Sequence, residues 1–385
     1  MNKLKFGVFS VMLMLAVSCK HKNMTDATDT TGEAMSTDST ASVASYAPVY
    51  IDKNVDYEYR KEILLDSIAD IKYVKLERTD DIYIKDFQQL LNAVYLDEKN
   101  IFVSTGSNSV LRFSSDGKFL NTIGKKGQGP SEFASLFSFK INSENNEVYL
   151  FDASSKKLLI FDYDGTFKKS IPTKTYAEDF YYQGAETMLL VNRNPAKEPM
   201  AFAISESSRD MFDVLLPPHD KKSGMQGFMF DYINKNKIYN GRLILNSEVT
   251  DTIFEIDPRT LNVHPKYIQL PSNDGVGEEN TSIYLIFETD RFANLAILKD
   301  NQVKTTYWYD KLKNEIFTGL IWNEDTQSFV LPINTNIDNK VISLYYAQKL
   351  IDLHSKGKIK GKLQELVLEL EPDDNPVLMI ATFKP

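Results

Sequence analysis

The chain has 385 residues, of which 42% are hydrophobic and 12% aromatic, so it can bury a sizeable globular core. Its 44 basic and 53 acidic residues give a net charge of −9 at pH 7, which disfavours nucleic acid and anionic lipid as direct partners. The single cysteine excludes an intramolecular disulfide and a site of several thiolates.

The first predicted element is an export signal at residues 1–18. Lys3 and Lys5 precede an apolar run, Phe6 to Val17, of about 12 residues, shorter than the roughly 20 that a membrane-spanning helix needs. Small residues then lead to Cys19. The segment resembles a bacterial lipoprotein signal, which implies cleavage before Cys19 and lipidation of that cysteine. An ordinary signal peptide with an incidental cysteine is the alternative.

Residues 19–47 are predicted to form a flexible tether. This stretch is dominated by Thr, Ser, Asp and Ala and has no hydrophobic period, so it cannot bury enough apolar surface to offset its ordering entropy. A chain of this length spans about 30 Å, enough to hold a domain clear of the lipid headgroups. Without the two lysines of the signal, 42 basic and 53 acidic residues leave a net charge of −11.

Residues 48–385 are predicted to form one all-β domain. Two stretches align, Asn92–Gly124 and Phe137–Ile171, and each contains four strands with an Asp-Gly pair before the last. Asp116-Gly117 and Asp164-Gly165 are 48 residues apart, a period typical of four-stranded propeller blades. We expect positive φ at both residues of each pair, as a two-residue hairpin of matched twist requires.

Further blades are predicted at roughly Phe180–Leu216, Phe228–Leu270, Ile283–Trp322 and Phe329–Phe383. An isolated strand pattern at Ile68–Arg78 is predicted to pair with the last blade, which would close the ring and remove open sheet edges. The expected fold is therefore a six-bladed β-propeller with four-stranded antiparallel blades.

Leucines at helical spacing between Tyr345 and Leu370 predict one or two helices inserted in the last blade. A cap over one end of the ring is the expected role of this insertion. A binding site on it is the alternative.

Five stretches follow one another in order through nearly the whole mature chain. They are the signal with Cys19, YVKLER at Tyr73–Arg78, FSSDGKFLNTIGKKGQGPSEF at Phe113–Phe133, DTIFEID at Asp251–Asp257 and DDNPVLMIATFK at Asp373–Lys384. Together they resemble the six-bladed β-propeller lipoproteins of Bacteroidetes, which are distantly similar to NHL-repeat and TolB-type propellers. The resemblance implies a fold and a cell-envelope location at the outer membrane, and it supplies no catalytic residues.

The glycine-rich stretch Gly124–Gly129 could offer amides and lysines to an anion. It lacks the GxxxxGK[ST] order of a phosphate loop, and no predicted helix follows it. We interpret it as the crossover between two blades, with Pro130 ending the strand and the lysines facing solvent.

Three other patterns have a structural and a functional interpretation. Asp162 to Gly165 resembles the start of a calcium loop, but Thr173 stands where the twelfth-position glutamate would be, so a hairpin turn is favoured. The aromatic run Tyr307–Tyr309 and Trp322 could stack on sugars, although packing between blades is the simpler explanation.

The four histidines are too widely spaced for a local metal pair, and an axial site assembled from distant blades is the alternative. They are His21, His219, His264 and His354.

The sequence thus predicts lipidation at Cys19, no catalytic residue, no metal and no cofactor, and it assigns no binding residue. The expected function is a lipid-anchored, non-catalytic scaffold for a glycan, peptide or envelope protein. Two alternatives remain: a propeller hydrolase, lactonase or lyase with an axial site, and an accessory subunit of an outer-membrane complex. The Lys-His-Lys-Asn sequence after Cys19 is not an acidic surface-export signal, which favours the periplasmic side.

Overall fold

The described part of the chain covers most of the predicted domain. The computed structural model describes residues 47–80, 82–84, 94–104, 109–173, 179–183, 187–191, 201–205, 211–214, 237–245, 251–257, 260, 262–271, 281–299, 302–330 and 332–385. Residues 46–385 belong to one compact unit. Cys19, the tether up to residue 46, His21 and His219 lie outside the described residues.

The first four elements of this unit are short. They are β1 (Val49–Asp52), β2 (Tyr59–Leu64), α1 (Leu65–Ile68) and β3 (Ala69–Lys75). All three strands pair with strands from the second half of the chain.

Three four-stranded antiparallel sheets follow in chain order. Sheet I contains β4 (Val94–Leu96), β5 (Asn100–Ser104), β6 (Val110–Ser114) and β7 (Phe119–Ile123). Sheet II contains β8 (Leu136–Asn142), β9 (Glu147–Asp152), β10 (Lys157–Asp162) and β11 (Phe167–Pro172). Sheet III contains β12 (Asp179–Gln183), β13 (Thr187–Val191), β14 (Ala201–Ser205) and β15 (Met211–Val214).

The remaining three sheets each include an N-terminal strand. Sheet IV contains β16 (Lys237–Tyr239), β17 (Arg242–Leu245), β18 (Thr252–Ile256) and β19 (Val263–Leu270), with β1 beside β19. Sheet V contains β20 (Thr281–Glu288), β21 (Phe292–Lys299), β22 (Gln302–Asp310), β23 (Glu315–Asn323) and β24 (Ser328–Val330), with β2 beside β23. Sheet VI contains β25 (Ile333–Asn334), β26 (Lys340–Tyr345) and β27 (Val377–Phe383), with β3 beside β27.

The fold is an all-β propeller of four-stranded antiparallel blades, as the sequence predicts. Each predicted blade segment falls on one sheet, except that the last begins at Phe329, in β24 of sheet V. The prediction that the Ile68–Arg78 strand pairs with the last blade is also confirmed: β3 and β27 are antiparallel, from Ala69 opposite Phe383 to Lys75 opposite Val377.

The Asp-Gly pairs connect the third and fourth strands of sheets I and II as predicted, but their expected geometry is wrong. Gly117 and Gly165 have φ of +94° and +85°, whereas neither Asp116 nor Asp164 has positive φ. Gly117 donates its amide to Ser114 O at 2.9 Å, and the strand register shifts just before the turn. Each turn is therefore a longer loop with a bulge that needs a glycine at one position only.

Parallel strands β1 and β2 are not predicted by the sequence. Each adds to the outer edge of a sheet, β1 to β19 and β2 to β23. We call residues 49–64 the strap. It contributes Ile51 and Ile63 to the buried core and covers two sheet edges that would otherwise present unpaired backbone groups.

Large apolar side chains fill the contacts between sheets. Phe133 and Phe113 are fully buried in a cluster shared by sheets I, II and VI. Trp308 is 1% exposed and stacks on Phe317, with Phe287 and Phe292 edge-on to its ring. Strands that are apolar on both faces thus pack between neighbouring sheets, as predicted.

The insertion predicted between Tyr345 and Leu370 contains two helices, α2 (Ala347–Ser355) and α3 (Leu363–Leu368). Their predicted apolar face is confirmed, because Leu350, Leu363 and Leu370 are buried together. No helix among the described residues is both long and apolar enough to span a bilayer.

Candidate functional site

The antiparallel sheets give the fold two chemically different ends. The first turns of the sheets lie at one end, which we call the turn end. The second connection of each sheet and the crossover to the next sheet lie at the other. Because α2 and α3 form the second connection of sheet VI, we call this the insertion end.

First turns of three sheets meet at the turn end. Asn240 of sheet IV donates its amide to Asp338 Oδ2 of sheet VI at 3.2 Å. Asp290 of sheet V donates its amide to Asn339 Oδ1 at 2.6 Å. The turn of sheet VI is thus hydrogen-bonded both to the turn of sheet IV and to the turn of sheet V. All three turns therefore lie close together at this end.

A buried ion cluster lies behind these turns, between sheets IV and V. The side chain of Glu288 is 1% exposed, and its Oε1 lies 2.7 Å from Lys311 Nζ and 3.2 Å from Lys266 Nζ. The same oxygen accepts a hydrogen bond from the Tyr267 hydroxyl at 3.0 Å. Lys266 also pairs with Glu255 at 2.7 Å. Arg242 pairs with Glu255 as well, at 3.3 Å, so two acidic and three basic side chains form one cluster.

Burial affects the two lysines of this cluster differently. Burial lowers the pKa of Lys311, although Glu288 attracts its ammonium group. For Lys266, burial acts in the same direction, but the combined attraction of Glu288 and Glu255 outweighs it and the pKa is raised. Burial and the charge of Glu288 raise the pKa of Tyr267 well above its usual range.

One atom of the cluster has no hydrogen-bond partner among the described residues. Glu288 Oε2 is buried, while three donors crowd Oε1. The described residues contain no group of three or more His, Cys, Asp and Glu side chains placed to hold a metal ion. The arrangement is thus suited to fixing sheet IV against sheet V, and Lys311 is its most chemically unusual group.

At the insertion end, a polar network joins sheets V and VI. Asn323 is fully buried, and its amide nitrogen lies 3.0 Å from the Tyr73 hydroxyl and 3.1 Å from the Tyr345 hydroxyl. Burial raises the pKa of Tyr345 to about 12 and also raises that of Tyr73. Both phenols therefore remain neutral at physiological pH and act as hydrogen-bonding groups that hold the sheets together.

The helical insertion presents four lysines on the turn between α2 and α3. Residues 355–362 read SKGKIKGK, and Lys356, Lys358, Lys360 and Lys362 are all exposed. None of the four forms an ion pair with the described residues. We call residues 356–362 the lysine turn.

The lysine turn is held in place by its backbone and by one apolar side chain. Ile359 is 4% exposed and packs in the core of the insertion. The amide of Lys360 donates to Asp325 O of sheet V at 2.8 Å, and that of Lys358 donates to Leu353 O at 2.9 Å. The turn thus displays its positive charges from a fixed backbone.

The glycine-rich stretch at Gly124 is the crossover between sheets I and II, as predicted. Its own Glu132 occupies the position that an anion would need. Glu132 accepts the Gly129 amide at 2.8 Å and pairs with Lys125 at 2.9 Å, and both contacts lower its pKa. A Cβ on Gly127 would clash with the same carboxylate, so the glycine makes room for an internal acid.

The other sequence-predicted candidates have structural roles. Asp162 Oδ1 accepts the amides of Asp164 and Thr166, so it closes its own hairpin as expected. His264 and His354 lie in β19 and α2 and belong to no metal-binding group among the described residues.

The predicted aromatic sites separate into core and surface. Trp308 is buried core and donates its indole N–H to Gly319 O at 3.1 Å. Trp322 is half-buried and contacts Phe329 edge-on near the outer edge of sheet V. The run from Tyr307 to Tyr309 therefore supplies packing between sheets, the simpler of the two interpretations.

Comparison with known proteins identifies a family and a shared fold. No curated protein matches the chain at a significant level. A candidate exported protein from Bacteroides fragilis has a similar structure, with a TM-score of 0.68 and 18% identity over 88% of this chain and 100% of that one. A DUF4221-family protein from Bacteroides vulgatus gives a TM-score of 0.49 and 9% identity over 82% of this chain and 98% of that one. At 18% identity, the first likeness shows the fold alone.

The family comparison covers the same compact unit. The family model named domain of unknown function DUF4934 matches residues 48–382, which include all six sheets apart from Phe383, the last residue of β27. The chain therefore belongs to the DUF4934 family.

Proposed function

We propose that this chain is a lipid-anchored, non-catalytic scaffold of the cell envelope that binds an anionic partner at its insertion end. The lysine turn supports this most directly. It presents four exposed ammonium groups against one nearby acid, Asp325, on a chain whose overall charge is negative. A rigid backbone reduces the entropy lost on binding, so such a turn is well suited to recognition.

We also propose that the six sheets are six blades of one closed ring. Successive sheets contact each other at five of the six junctions that a closed ring requires. These contacts include Arg112 with Asp164 (I and II), Phe151 with Phe180 (II and III), Tyr267 with Glu288 (IV and V), Tyr73 with Asn323 (V and VI) and Asn336 with Leu96 (VI and I). These contacts include none between sheets III and IV, whose connecting residues 215–236 lie outside the described residues. A crystal structure with five blades, or with a gap at that junction, would contradict the proposal.

Lipidation of Cys19 accounts for attachment of this domain to the envelope. We expect metabolic labelling with an alkyne fatty acid to mark the full chain, and Cys19→Ala to abolish the label and move the protein to the soluble fraction. Several acyl chains anchor a protein almost permanently, at about 0.8 kcal/mol per buried methylene, so the shift should be nearly complete. A labelled Cys19→Ala chain would contradict this assignment.

Binding of an anionic partner is tested with a soluble polyanion. Dextran sulfate should bind the chain of residues 20–385, which keeps the whole compact unit and lacks the signal and lipidated cysteine. Lys358→Gln with Lys360→Gln should weaken that binding, because each lysine contributes to the local potential. Lys118→Gln with Lys313→Gln is the matched control, since it removes two exposed lysines that lie outside the lysine turn. An equal loss of dextran sulfate binding in the two double variants would contradict a defined site at the lysine turn.

An axial enzyme site is the second candidate function. The observation in its favour is Lys311, whose lowered pKa would suit a general base or a nucleophile. Its direct pairing with Glu288 favours the structural role. Turnover of a lactone or ester by the purified chain, lost in Lys311→Met, would establish the enzyme instead.

A further inference from the structure

The lysine turn differs from the rest of the insertion in how its charges are balanced. Acidic side chains at the far end of the insertion are already paired with β3 and its flank: Asp374 with Lys75 at 2.8 Å, and Asp373 with Arg78. The four lysines form no such ion pair among the described residues, and the one acid beside them is Asp325, whose carboxylate lies against Gly361 and attracts Lys362. The turn is therefore a local source of positive potential.

The acidic charge of the whole chain does not cancel this potential. At physiological ionic strength, interactions between exposed charges fade beyond about 8–10 Å. A surface that approaches the insertion end mainly experiences the lysine turn and its immediate neighbours. The net charge, which disfavours lipid adhesion when the chain is considered as a whole, is a poor guide to this one surface.

Exposed apolar side chains accompany the lysines. Leu368 on α3 is 71% exposed, and Tyr346, immediately before α2, is 45% exposed. Leu368 lies six residues after Lys362, or about 9 Å along a helix. Lysines next to exposed leucine and tyrosine are typical of surfaces that lie at the headgroup boundary of a bilayer, whereas a soluble polyanion offers nothing to the apolar groups.

We propose that the partner of the lysine turn is an anionic membrane surface, whose lipid phosphates contact the four lysines while Leu368 enters the headgroup region. This rests on the proposed function, because it names the anionic partner of the same site. A lipid-anchored tether of about 30 Å would keep such a surface within reach. Contact through the insertion end then fixes the orientation of the propeller, and the turn end faces away from the lipid.

Vesicle binding by the chain of residues 20–385 tests the proposal. It should bind phosphatidylcholine vesicles that contain phosphatidylglycerol, fail to bind pure phosphatidylcholine vesicles, and dissociate as salt is added. Lys358→Gln with Lys360→Gln should lower the apparent affinity by about 30-fold, since each lysine near an anionic leaflet contributes about one kilocalorie per mole. The control pair at Lys118 and Lys313 should leave the affinity almost unchanged.

Leu368→Ser separates a membrane from a soluble partner. It should weaken binding to the vesicles and leave binding to dextran sulfate unchanged. If dextran sulfate binds through the lysine turn and vesicles do not bind, the membrane inference is wrong and the proposed function stands. If the binding of neither probe depends on Lys358 and Lys360, the membrane inference and the proposed function are both wrong. Circular dichroism of each variant verifies that these exposed substitutions leave the fold intact.

Discussion

Glu288→Leu is expected to lower the free energy of unfolding by about 3–5 kcal/mol, the usual cost of removing one partner from a buried ion pair. The substitution leaves Lys311 buried with only the Thr289 carbonyl at 2.6 Å and the Tyr239 hydroxyl at 3.4 Å. Lys266 keeps Glu255, so the loss comes mainly from Lys311 and from the Tyr267 hydroxyl, which loses its acceptor. Denaturant unfolding of the wild-type and variant chains measures it.

A second substitution tests whether the loss comes from the uncompensated charge. Adding Lys311→Met to Glu288→Leu removes both charges of the pair and should recover much of the stability, since an apolar pair of similar volume can replace a buried ion pair. Glu315→Gln is the control, because it alters an exposed ion pair with Arg60 at 3.5 Å and should cost less than about 1 kcal/mol. No recovery in the double variant would contradict the charge explanation.

The pH dependence of Glu288→Leu gives an independent measurement. The pKa of Lys311 is already below its usual value of 10.5, and losing Glu288 removes an attraction that raises it. The folded state then binds fewer protons than the unfolded state between the lowered pKa and 10.5, so stability rises with pH across that window. The deficit of the variant should therefore shrink as the solution becomes alkaline. A deficit that is constant with pH would assign the loss to packing.

The sequence predicts most of the fold because the repeats are local. Each sheet from I to VI is built largely from consecutive segments, and the period between Asp-Gly turns is visible without any tertiary information. The strap is different. β1 pairs with β19 and β2 with β23, more than 200 residues away, and parallel pairing leaves no hairpin turn between the partners to detect. The strap could not be predicted for that reason.

The chemistry of the site was harder to predict than its architecture. Glu288, Lys266 and Lys311 lie in three separate strands or turns, and nothing in their local sequence distinguishes them from solvent-exposed charges. The lysine turn was readable as SKGKIKGK, but its meaning depends on which acids neutralise it, and only the structure shows that. The glycine-rich stretch is conspicuous in the sequence as a possible anion site. In the structure, the carboxylate of its own Glu132 takes the place of the anion.

Gly319→Ala is expected to loosen the strap while the rest of the fold stays intact. A Cβ at this position would lie 2.4 Å from Arg60 O and 3.0 Å from Ile63 Cδ1, so β2 must move away from β23. Gly319 cannot move instead, because its own carbonyl accepts Thr306 Oγ1 at 2.7 Å and the Trp308 indole at 3.1 Å. Forcing a methyl group into such a contact costs about 1–3 kcal/mol.

The lower stability of the strap in Gly319→Ala should appear as faster tryptic cleavage at Arg60 and Lys61, because cleavage of a locally opened segment follows the population of its open form. A cost of 1–3 kcal/mol corresponds to cleavage that is about 5- to 150-fold faster. Gly357→Ala is the matched control: its φ is also positive, at +67°, but a Cβ there meets nothing within 4 Å. It should strain only the turn after α2 and leave cleavage of the strap unchanged. Equal cleavage in wild-type and Gly319→Ala chains would show that β2 is held by its side chains, such as Arg60 over the Phe317 ring at 3.7 Å, and not by close backbone pairing.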